Sequence, residues 1–259
     1  MNTNRKNLSK QSGFTLVEMA IVLVIIGLIL GAVSIGKDLQ RDAEYAKVKQ
    51  KFVDQWASAY NGYYMRAGVV VGDSQTTPRI MVNGNVYASG TPVISGGDMT
   101  GAALPGGICQ GASAPSLAVA ATDLTLHTYF DNLGIRMPPG RAEGFEDRYV
   151  YLDSNGNPQE VQICFQWNSP ENPAGSGNMM VIAGLTPDLA RALDQMIDGK
   201  PDAVEGMFRQ EGLGQGTPGA PGLQWNATNQ DNFNAGAGSA TNLDEDQVVT
   251  VVANYKMNQ

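Results

Sequence analysis

One carboxylate stands inside an otherwise apolar run. Glu18 is the single charge between Phe14 and Gly36, in the stretch FTLVEMAIVLVIIGLILGAVSIG. An ionisable group in a lipid-facing helix costs roughly 2.5–3.5 kcal/mol on insertion scales, so a group kept there has a partner or a task. Elsewhere, reactive side chains are few. Two cysteines, Cys109 and Cys164, and one histidine, His127, leave few ligands for a His/Cys zinc site, and a Cys–His pair would have to draw on that one imidazole. The serines do not stand in a G-x-S-x-G elbow, and no glycine loop has phosphate-binding spacing. Asp153, Asn155 and Asn157 mimic the first oxygen ligands of a calcium loop. Pro158, however, stands where such a loop needs glycine, and a hairpin turn is the better reading. Asp194 and Asp198 share a helix face at i and i+4 near Arg191 and Lys200, which reads as solvated capping and surface pairing. No catalytic set, metal site or cofactor is expected, so the chain reads as a protein that is not an enzyme.

The elements that must position Glu18 are marked by charge. Residues 1–13 carry Arg5, Lys6 and Lys10 and no acid. Residues 14–68 hold six basic and five acidic side chains, and residues 69–259 hold eight basic and twenty acidic. The chain of 259 residues, with formal net charge −8, is therefore a basic leader, a near-neutral stem and an acidic body. An acidic body argues against general nucleic-acid binding, which wants clustered Lys and Arg, although a local basic patch stays open. With 42% hydrophobic residues, 31 Gly and 13 Pro, the composition is globular and rich in loops, neither disordered nor collagen-like.

Phe14 to Gly36 is long enough to span a bilayer as a helix. The basic leader places residues 1–13 in the cytoplasm and the body outside. The residues alone admit a plain membrane anchor, or a secretory signal peptide cut near Ala32 and Ser34. Neither accounts for Glu18.

Gly13-Phe14-Thr15-Leu16-Val17-Glu18, behind a short basic leader and ahead of the apolar run, resembles the prepilin motif of type IV pilins and type II secretion pseudopilins. The resemblance implies cleavage by a prepilin peptidase between Gly13 and Phe14, N-methylation of Phe14, and retention of the hydrophobic helix. It also implies that the Glu18 carboxylate pairs with the Phe14 ammonium of a neighbouring subunit, offsetting the burial of both charges. Gly27 and Gly31 have the small-xxx-small spacing that permits close helix approach, against the plainer reading of glycines tolerated in a membrane helix. Many type IV pilins have a proline further along the stem; here none precedes Pro78, which leaves pilus and secretion pseudopilus both open.

The expected fold class is α+β and pilin-like: a long N-terminal helix, half transmembrane and half amphipathic, packed on an antiparallel sheet. The expected parts are a leader (1–13), an assembly helix (14–36), its amphipathic continuation (37–68) and an acidic body (69–259). Tyr45, Val48, Phe52, Trp56, Ala59 and Tyr63 recur at steps of three and four, the face that packs on the body, and Gly68 is the stop. A continuous helix from Phe14 to Arg66 would be about 80 Å long. In the body, Arg79–Val82 and Asn85–Tyr87 flank Asn83-Gly84 as a hairpin, and Leu124–Leu133 reads as a short helix. Arg148–Leu152 and Val161–Trp167 form a strand pair, Asn178–Leu185 and Val248–Tyr255 are strands, and Thr186-Pro187 starts a helix that stops at Gly199.

The implied partners are other pilin subunits, the prepilin peptidase, an inner-membrane assembly platform, and lipid before assembly. The implied location is the inner membrane, with the N-terminus cytoplasmic, then a surface pilus or a periplasmic pseudopilus serving adhesion, motility or secretion. A tip adhesin or DNA-uptake module is an alternative of another class. In an exported body Cys109 and Cys164 could form a disulfide, worth ~4 kcal/mol in the chain-entropy model, or remain two buried thiols. The disulfide that pilins often carry near the C-terminus does not transfer directly, because ninety-five residues follow Cys164.

Overall fold

Leucine, isoleucine, valine and alanine without proline, opened by a threonine, give α1 (Leu16–Val48). The computed structural model describes residues 15–82, 126–154, 156–168, 174–213, 222–225 and 250–257. Residues 1–42 and 43–259 are two compact units. In the first, α1 from Leu16 to Leu39 is exposed on every side, Leu16 to 90% and Leu28 to 70%. A helix apolar all round is solvated by lipid or by other helices, not by water. Its composition and length are enough to cross a membrane.

Helical residues continue to Ala67, but not as one uniform α-helix. One turn, Lys49–Val53, is a π-helix, closed by the N–H of Asp54 bonding to the carbonyl of Lys49. The widened turn places two adjacent residues, Phe52 and Val53, in the core. It also brings Lys49 Nζ within 2.8 and 2.9 Å of the two Asp54 carboxylate oxygens. α2 (Asp54–Ala67) then ends as expected at Gly68, whose φ of 74° is left-handed and whose N–H bonds to the Tyr64 carbonyl.

In the second unit the expected apolar face is buried in full: Tyr45, Val48, Phe52, Trp56, Ala59 and Tyr63, joined by Val53 and Tyr60. It meets a sheet of β1 (Arg148–Leu152), β2 (Pro158–Asn168), β3 (Gly177–Leu185), β4 (Phe208–Gln210) and β5 (Val251–Lys256). The order is β1-β2-β3-β5-β4, with every neighbouring pair antiparallel. Registers Phe165↔Met180↔Tyr255↔Phe208 line one sheet face, and the Phe165 ring lies 6.0 Å from Trp56 and 5.0 Å from Tyr60. The short helix α3 (Leu126–Asn132) adds Phe130, 6.2 Å from Trp56. The molecule is thus α+β, a long N-terminal helix with an antiparallel five-stranded sheet.

Three local outcomes differ from the sequence reading. Arg79–Val82 is not a strand; residues 83–87 lie outside the described ones. Its backbone groups are taken by side chains instead. Asp73 Oδ2 accepts the N–H of Arg79 and Ile80, and Asn178 accepts from Val82 and donates to the Ile80 carbonyl. Ile80 sits at φ 57°, a conformation no ladder offers a β-branched residue. Strand β4 was not foreseen, being three residues long and too short to show alternation. Between Ile182 and Leu185 the β3–β5 register shifts, at Gly184 with φ 81°, where a Cβ would collide with the Glu160 carbonyl oxygen. The Tyr151 hydroxyl donates to the Gly184 carbonyl at 3.2 Å and accepts the Thr186 N–H at 2.9 Å. Thr186 then caps α4 (Pro187–Asp198), its Oγ1 accepting from Leu189 N at 3.4 Å, and Gly199 ends it at φ 78°.

Candidate assembly site at the start of the N-terminal helix

A helix begins with N–H groups that have no partner in their own ladder, and the first residues of α1 answer that need locally. The Thr15 N–H donates to Glu18 Oε2 at 2.7 Å, and the Thr15 hydroxyl donates to the same oxygen at 2.8 Å. In return Glu18 N–H donates to Thr15 Oγ1 at 3.2 Å. This is the reciprocal capping box, with Thr15 as N-cap and Glu18 at the third helical position. The carboxylate also lies at the helix end that favours negative charge. The sequence singled out Glu18 but missed Thr15 as its partner; the Thr-x-x-Glu spacing ahead of an apolar run was the available signal.

Around this polar box the surface is apolar. Leu16, Val17, Ala20, Ile21, Val24 and Ile25 line a shallow strip along α1. Gly27 and Gly31 follow on the same helix, and a Cβ added at either would meet nothing within 4 Å. The side they present is open to close approach. Gly13 and Phe14, the expected scissile pair, lie outside the described residues.

The other candidates lie far from Glu18 in sequence, in the second unit. Cys164 is in β2, buried, on the sheet face opposite Phe165, with Sγ 3.9 Å from the Val181 carbonyl oxygen. Cys109 lies outside the described residues. Asp153 Oδ1 accepts the N–H of Asn157 at 2.8 Å and its Oδ2 accepts from Gln159 at 3.3 Å, so this carboxylate closes the β1–β2 turn. Residue 155 lies outside the described ones. His127 falls in α3.

Asp194 corrects the reading of α4 as carrying solvated acids. It is fully buried, with its Oδ2 accepting from the Asp202 N–H and the Trp225 indole. Asp198 Oδ2 accepts the N–H groups of Met207 and Phe208. The nearby cations pair elsewhere: Arg191 with Asp188 at 3.5 Å, and Lys200 with Asp202 and Glu205 at 3.2 and 2.7 Å. Trp225 is 31 residues from Asp194, a separation at which helix-face spacing carries no signal.

No curated protein and no solved structure matches the chain. Residues 8–34, which include Glu18 and the exposed apolar start of α1, match the family model described as the prokaryotic N-terminal methylation motif, the hallmark of type IV pilins and pseudopilins.

Proposed function

We propose that this protein is a structural subunit of a type IV pilus-like filament, cut between Gly13 and Phe14 by a prepilin peptidase and N-methylated on Phe14. The observation that carries the reading is a methylation motif at residues 8–34 whose glutamate is capped at the head of an exposed apolar helix. Before assembly the helix is held in the inner membrane, leader inward. During assembly, helices pack through the strip from Leu16 to Ile25 and the small side at Gly27 and Gly31. The Phe14 ammonium of one subunit meets Glu18 of the next, which sets the stagger. Apolar burial at about 25 cal/mol per Å² supplies the driving force once lipid is left behind, and charge pairing supplies the register. The filament is a pilus or a secretion pseudopilus; its partners are further subunits, the peptidase and an inner-membrane platform.

Co-expression with a prepilin peptidase tests this directly. N-terminal sequencing and mass spectrometry are expected to find methyl-Phe14 as the first residue. An intact Met1, or a start near Ile35, would overturn the reading. Glu18→Ala is expected to leave cleavage largely intact and to impair filament formation; filaments of normal yield would remove the pairing from the mechanism.

We further propose that Cys109 pairs with Cys164 in the exported body. The support is the buried position of Cys164 on a regular strand and the export implied by the leader. Peptide mass spectrometry without reductant is expected to recover the two cysteines as one linked species.

A further inference from the structure

Asp194 has no solvent-exposed surface, and its two oxygens are treated unequally. Oδ2 accepts the Asp202 N–H at 2.6 Å and the Trp225 indole N–H at 2.8 Å, so one atom ties both the loop after α4 and the segment Gly222–Trp225 to the helix. Oδ1 is buried and has no hydrogen-bond partner among the described residues. A buried carboxylate oxygen to which no protein group donates bears its desolvation uncompensated. The facing charges make this worse. Asp198 lies one turn further along α4, and Asp202 approaches from the loop. Lys200 is committed to Asp202 and Glu205. β5 contributes Tyr255, near Asp198, and Gly222–Trp225 brings no charge. A proton on Oδ1 answers this arrangement, because it removes the charge while leaving Oδ2 free to accept both N–H groups.

We propose that Asp194 is a proton-operated clasp, which fastens the segment Gly222–Trp225 to α4 most tightly when its Oδ1 carries a proton and loosens as the pH rises toward neutrality. Burial raises the Asp194 carboxyl to about 7 against the opposing pull of the Trp225 and Asp202 N–H groups, with Asp198 and Asp202 adding to the rise. The released carboxylate, in water, titrates near its ordinary value of about 3.9. Between these two values the fastened form holds a proton that the released form has lost. Its advantage therefore falls about tenfold per pH unit from roughly pH 4 to roughly pH 7, then levels off.

The test uses the full chain in detergent micelles with 15N-labelled tryptophan, the Trp225 indole resonance being assigned by Trp225→Phe. That resonance is expected to titrate with a midpoint near pH 7 while those of Trp56 and Trp167 do not follow it. Asp198→Asn should retain the titration and Asp194→Asn should abolish it. The thermal midpoint of the native chain should fall between pH 5 and pH 7 by more than that of Asp194→Asn. A Trp225 resonance unchanged from pH 5 to 8, or one that still titrates in Asp194→Asn, overturns the clasp. If Asp194→Asn does not fold, the native resonance alone decides.

Discussion

Glu18 and Asp194 are the same chemical group under two solvents, and each is made tolerable by a different device. Glu18 is answered within its own turn, by the backbone and hydroxyl of Thr15. Losing an N-cap hydroxyl costs ~1 kcal/mol of helix stability. Thr15→Ala is therefore expected to fray the first turn of α1, seen as faster hydrogen exchange at Leu16–Met19 in micelles, with Thr15→Ser restoring protection. Tyr151 shows the same logic in the body. Its hydroxyl serves Gly184 and Thr186 at once, and burial holds it above the ordinary tyrosine range. Tyr151→Phe strands both backbone groups and is expected to cost ~1–3 kcal/mol in urea denaturation.

Among elements, the α2–sheet contact carries the core. Trp56 is fully buried between Phe130 and Phe165 and donates its indole N–H to the Glu146 carbonyl at 3.2 Å. Trp56→Ala is expected to cost ~3–5 kcal/mol, measured by chemical denaturation. Gly184 is the element-scale position least open to change. Any side chain there meets a left-handed φ, worth ~1–2 kcal/mol, and then the Glu160 carbonyl oxygen. Gly184→Ala should therefore lower the urea midpoint by more than Gly199→Ala, which has the same kind of φ but open space around it. Most of these elements were legible in the sequence. The helical face from Tyr45 to Tyr63, Gly68 as stop, the Thr186-Pro187 start and the β1–β2 pair all rest on local periodicity and capping. The π turn at Lys49–Val53, which buries the adjacent pair Phe52 and Val53, was not, because a helical period of three and four carries no mark of a single widened turn. Arg79–Val82 had a strand's residues and lost its ladder to Asp73 and Asn178, the latter contributed from β3.

Across the whole molecule, the charge asymmetry separates two chemistries. The stem is near neutral and its first half is apolar on every side, whereas the body is acidic. Burial pushes Glu211 upward as well as Asp194, so both carboxyls stabilise the folded body more at low pH than at high pH. Body stability is therefore expected to decline as pH rises from about 4 toward 7, measured by thermal unfolding at fixed ionic strength. Reduction of the proposed Cys109–Cys164 bridge should lower stability by ~4 kcal/mol in the chain-entropy model, measured as a lower urea midpoint with reductant.

The sequence by itself determined the methylation motif, the apolar helix, the glutamate within it and the helix-plus-sheet class. Those features are local: a run of residue types in order is enough to specify a motif, a period or a cap. Only the tertiary structure decided that one turn of the stem widens and that Asp194 is buried under Trp225. Each of these depends on which groups meet in space and which lose water when they do, and spacing along the chain carries no record of that.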